Sequence, residues 1–91
     1  MPHSPQEKKK AITRLRRIRG QAESLEKAIE DGTDCGELLQ QIAALRGATN
    51  GLMSEVLEGH LRETFDKKDL SPKETKSALD DLLTLVRAYL K

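Results

Sequence analysis

A cysteine at position 35, histidines at 3 and 60 and a proline at position 2 are the side chains here equipped to hold a soft metal or trap an electrophile. Cys35 follows Asp34 and opens a long apolar-periodic stretch, which places it in the first turn of a helix. Free amide groups and the positive end of the helix dipole favour a thiolate there. A lone cysteine is more often inert and buried, so only its place at a helix start argues for reactivity or ligation. His60 lies beside the apolar stripe of the same stretch, where a satisfied core histidine is the plainer reading. Pro2 carries different chemistry. A small penultimate residue permits removal of Met1, which leaves a secondary amine at the terminus. Such an amine adds to an aldehyde and loses water to give an iminium, which a thiolate attacks. Pro2 and Cys35 would then form a two-part trap for a one-carbon electrophile, joined by a methylene bridge. The plain alternative for Pro2 is an extended tail residue.

The element that must position Cys35 and His60 is the stretch 35–64. Leu38, Leu39, Ile42, Leu45, Leu52, Met53, Val56, Leu57 and Leu61 recur there at three- and four-residue steps, the pattern of a helix with a wide apolar face. Asp34, with Glu37 three residues on, resembles an N-terminal capping box. At about 1.5 Å per residue, Cys35 and His60 lie roughly 37 Å apart and cannot meet within one chain. Two copies crossing antiparallel would bring them together. The midpoint of 35 and 60 falls between Gly47 and Ala48, inside the small-residue cluster GATNG, where two backbones can approach closely. The expected unit is an antiparallel dimer with two identical composite sites.

Two more helices flank this one. Ser4, Pro5 and Glu7 form an S-P-x-E start signal, and the helix should run to about Glu30 and stop at Asp31-Gly32. Ala11, Leu15, Ile18, Ala22, Leu25 and Ile29 give it a seam for packing on another long helix. Lys10, Arg14 and Arg17 form a row along one edge of that seam, and Lys8, Arg16 and Arg19 surround an exposed Ile12 on the other. Gly20 in a helix interior costs roughly 1 kcal/mol relative to Ala, and a close helix crossing is the expected reason. After Thr64 the segment FDKKDLS reads as a loop, and Ser71, Pro72 and Glu74 repeat the start signal. Leu79, Leu82, Leu83, Val86, Tyr89 and Leu90 of the third helix are expected to pack on the first two. The fold class is all-α, one domain over residues 1–91.

A chain of 91 residues buries limited apolar surface alone, so oligomerisation is expected to cover the remaining faces. One cysteine excludes an internal disulfide and suits a reducing compartment. No apolar run reaches membrane-spanning length and no signal-peptide pattern opens the chain, so a cytoplasmic protein is expected. Net charge is +1, but residues 1–20 carry seven basic side chains and one acid, against nine basic and fourteen acidic in the rest. A basic arm on an acidic body suits a polyanion, with a solvated charged face as the bland alternative. Enzyme signatures are missing: the chain has no Ser/His/Asp set with a plausible pocket, no glycine-rich phosphate loop and no paired carboxylates on an apolar face. No CxxC announces zinc, and the helices are too long for a helix-turn-helix. A helical adaptor whose basic arm binds an acidic protein is the competing class.

RLRRIRGQ at 14–21, Cys35, LLQQIAALRGATNGLM at 38–53 and GH at 59–60 closely resemble the CsoR/RcnR family of all-helical transcriptional repressors. The resemblance covers nearly the whole chain, and Pro2, Cys35 and RETF at 62–65 are similar to its formaldehyde-responsive members. It implies a homotetramer built from two antiparallel-helix dimers, bound to operator DNA through Arg14, Arg17 and Arg46, and Lys10, in the same row as Arg14 and Arg17, is expected to join them. It also implies an inducer site made from Pro2 or His3, Cys35 and His60. Pro2 and Cys35 are the residues for formaldehyde; His3, Cys35 and His60 would give Zn²⁺ or Co²⁺ three protein ligands. The chain departs from the family's copper sensors in lacking a second cysteine. It departs from the nickel/cobalt sensors in carrying Thr64 where they have a further histidine, a poor ligand for such metals.

Overall fold

Ser4 and Ser71 begin two helices by the same device. The Ser4 hydroxyl accepts the Glu7 amide at 3.0 Å and the Ser71 hydroxyl accepts the Glu74 amide at 3.1 Å, with Pro5 and Pro72 next in each chain segment. A proline at the first helical position gives up no bond, because its missing amide would be unpaired there anyway. The computed structural model describes residues 4–66 and 69–90. Among them run α1 (Pro5–Glu30), α2 (Cys35–Phe65) and α3 (Pro72–Tyr89), with no strand. α2 extends through Phe65, one residue beyond the expected end.

α1 ends as expected, at a glycine. Gly32 has φ +74°, its amide donates to the Ile29 carbonyl at 3.2 Å, and the Thr33 amide donates to Ala28 at 3.0 Å. This paired closure needs a left-handed residue after the helix, which glycine adopts without a Cβ clash. The start of α2 departs from expectation. Asp34 takes the capping position in extended backbone, but its carboxylate makes no capping bond, so the Asp34/Glu37 box is not formed.

The turn folds α2 back on α1. The α1 face turned to α2 carries Ala11, Arg14, Ile18, Leu25 and Ala28, all half-buried; facing positions on α2 include Gln41, Leu45, Ala48, Leu52 and Glu55. The expected seam through Leu15, Ala22 and Ile29 is therefore corrected: Leu15 is 52% exposed and Ile29 57%. Hydropathy assigns the seam to leucine and isoleucine, whereas Arg14, matched by Glu55 on α2, takes a place in it. α3 is corrected as well. It touches α2 alone and makes no contact with α1, and Leu79, Leu83, Tyr89 and Leu90 are exposed. Gly20 meets no described atom within 4 Å of where a Cβ would stand, so no crossing inside the protomer explains it.

The protomer is a thin slab of 58 × 28 × 12 Å with a radius of gyration of 17.6 Å, where a compact chain of this length would have about 12 Å. Its accessible surface is 7320 Å², against roughly 5,300 Å² for a compact monomer of this mass. Among the described residues no hydrophobic side chain is fully buried, and only Gly59 is buried at all. Leu39, Ile42 and Leu61 of α2 stand exposed. No described helix is long and apolar enough to cross a membrane.

Candidate functional site

Cys35 is the first residue of α2 and its thiol is free and exposed. His60 is half-buried near the other end of α2, in an apolar groove with Leu57, Val56, Leu85 and Tyr89. The two residues share one helix face, because 25 positions at about 100° each bring them within roughly 20° of each other. Their separation along the axis keeps them apart within the protomer. Pro2 and His3 lie outside the described residues. Among those described, no three His, Cys, Asp or Glu side chains are grouped to hold a metal ion. A single protomer therefore does not fit a metal centre; Cys35 and His60 would have to come from different subunits.

The basic row is more finished than the sequence suggests. Lys10 and Arg17 are exposed and line one groove with Gln6, Lys9, Thr13 and Arg14. Arg14 differs from its neighbours. Its Nε lies 3.3 Å from Oε2 of Glu55, and both atoms are shielded from solvent. The contact is an ion pair rather than an aligned hydrogen bond. Gly51, one turn before Glu55, leaves the space for it: a Cβ there would stand 2.5 Å from Nη1 of Arg14. Arg46 is exposed but sits elsewhere. It lies nine positions before Glu55 on α2, about half a turn around the helix. The structure thus gathers Lys10, Arg14 and Arg17 and leaves Arg46 on another face.

Glu55 and Gly51 are the residues that sequence reasoning passed over. The available signal was Glu55 itself, an acid set between Met53 and Val56 in the apolar part of α2. Such an interruption calls for a cation on the facing helix, and Arg14 is that cation.

Comparison with known proteins adds the family. The model for "Metal-sensitive transcriptional repressor" matches residues 7–88. The chain is 50% identical, over the full length of both, to a Serratia marcescens protein described as "Uncharacterized protein in bioA 5'region". It is 40% identical, again over the full length of both, to a "Transcriptional repressor RcnR homolog" of Escherichia coli O139:H28 (strain E24377A / ETEC). A solved structure of a variant of the formaldehyde-responsive regulator FrmR, from Salmonella enterica serovar Typhimurium, is 50% identical. It superimposes with a TM-score of 0.82, covering 97% of this chain and 99% of that one. The adaptor reading gives way to these matches, and the family is one of repressors rather than enzymes. The chain belongs to the metal-sensitive transcriptional repressor family, the CsoR/RcnR repressors.

Proposed function

We propose that this protein is a formaldehyde-responsive repressor, acting in the cytoplasm as a dimer of antiparallel dimers on operator DNA. The observation that carries the reading is the exposed Cys35 thiol at the first turn of α2. It is supported by half-identity over almost the whole chain to a regulator described as formaldehyde-responsive. With Met1 removed, the Pro2 amine of one subunit adds to formaldehyde and expels water, and the Cys35 thiolate of another subunit closes the resulting iminium. One N–C and one C–S bond form, one water leaves, and the pair gains one carbon, about 12 Da.

DNA contact falls to Lys10, Arg14, Arg17 and Arg46. Because Arg46 and Arg14 face different ways within a protomer, a surface using both spans more than one subunit. Drawing the N-terminal arm onto a neighbouring helix moves the start of α1, and with it the row of Lys10, Arg14 and Arg17. Contacts to a run of phosphates form together, so a small loss of register weakens the complex.

The likeness to an RcnR homolog favours one competing reading, a Zn²⁺ or Co²⁺ sensor using His3, Cys35 and His60 of adjoining subunits. Intact mass and operator binding, measured on one formaldehyde-treated sample, separate the two. The parent protein should gain about 12 Da per link and leave the DNA, whereas Cys35→Ala should bind DNA normally and ignore the aldehyde. Release of Cys35→Ala at the same dose sinks the mechanism.

A further inference from the structure

Glu55 and Gly51 lie on α2 between Cys35 and His60, and both meet Arg14 of α1. A guanidinium has five N–H donors in a planar fork. In Arg14 the Nε edge faces Glu55 across the α1–α2 seam, at 3.3 Å and out of solvent, while the side chain as a whole remains 40% exposed. Nη1 lies over the bare backbone of Gly51. The inner edge of the fork is thus held by α2, and Arg14 and Glu55 both line the groove that also carries Lys9, Lys10 and Arg17. A long, unpaired arginine on a helix surface would lose much rotamer freedom on meeting a phosphate; one already held loses less.

We infer that Glu55 and Gly51 are positioning residues for Arg14, and that their grip on it couples α2 to the DNA-facing row of α1. The inference rests on the repressor reading and gives it a transmission element. α2 is the helix that begins at Cys35 and carries His60. A displacement of α1 against α2 breaks the seat of Arg14 as well as the register of the row.

Gly51→Ala is the sharpest test. Alanine favours the helix over glycine, and the added methyl displaces only the far end of a flexible side chain, so the fold survives while Arg14 moves. Operator titrations over a range of salt should show Gly51→Ala and Glu55→Ala each binding on the order of tenfold more weakly. The salt slope should fall by about one unit, as it does when a phosphate contact is lost. Glu55→Gln, which keeps an acceptor of the same shape, should recover part of the loss. In an Arg14→Ala background the Glu55→Ala change should have no further effect, since its role is exercised through Arg14. Helicity and sedimentation of each variant confirm that fold and assembly persist. Parent-like affinity and slope in Gly51→Ala and Glu55→Ala, tighter binding by Glu55→Ala, or additive effects of Arg14→Ala and Glu55→Ala overturn the inference alone. A parent protein that binds no operator overturns it together with the repressor reading.

Discussion

Cys35 and His60 lie on the same face of one helix and at opposite ends of it, roughly 37 Å apart. The spacing forbids a site within the chain and suits one shared by two antiparallel copies. Thr64 follows His60 by one turn and is half-buried, like His60. Thr64→His should create a histidine pair at i, i+4 and tighten Co²⁺ binding by tenfold or more, about 1.4 kcal/mol. Spectroscopic titration with Co²⁺ measures this, and parent-like affinity would mean that the shared site has another geometry.

Assembly should depend on the outward apolar face of α2. Leu39 is 59% exposed and Ile42 is exposed beside it, and Gly47 has no described atom within 4 Å of an added Cβ. Ile42→Glu should dissociate the oligomer, because an unpaired carboxylate would be trapped in an apolar interface. Sedimentation velocity reads the outcome, and a parent protein that runs as a folded monomer would refute it.

Arg14 and Arg46 should act independently on DNA. They project from different faces of the hairpin, so their losses should add within about 0.5 kcal/mol, unlike the pair of Arg14 and Glu55. A double-mutant cycle with Arg14→Ala and Arg46→Ala, read by operator titration, tests the placement.

The helix starts should differ in what they contribute. Ser71 accepts the Glu74 amide and donates to its carboxylate at 3.1 Å, so Ser71→Ala should cost about 1 kcal/mol. Asp34 makes no capping bond, and Asp34→Ala should cost less than Ser71→Ala. Urea denaturation at fixed protein concentration compares them, and an equal or larger cost for Asp34→Ala would show that its carboxylate does cap α2 in solution.

The ends of the helices were legible in the sequence because they rest on local chemistry. Ser-Pro pairs fix two starts, and Gly32 fixes one end through its backbone freedom. The faces were less legible. Leu15 and Ile29 look like seam residues by hydropathy yet are 52% and 57% exposed, because Arg14, paired with Glu55, takes a place in the seam. Arg14 was placed in the right row, but its pairing was hidden, since the partner Glu55 lies on another helix. Cys35 at the start of α2 is legible from its neighbours alone; the proposed meeting of Cys35 with His60 needs two chains, which one sequence can only imply.

That no hydrophobic side chain among the described residues is fully buried has a cellular consequence. A subunit that relies on its neighbours for a core has a folded population set by mass action. Newly made chains below the assembly threshold present apolar surface and open readily, which makes them preferred substrates for proteolysis. The amount of repressor would then fall faster than its synthesis as synthesis declines, sharpening the boundary between an occupied and an empty operator.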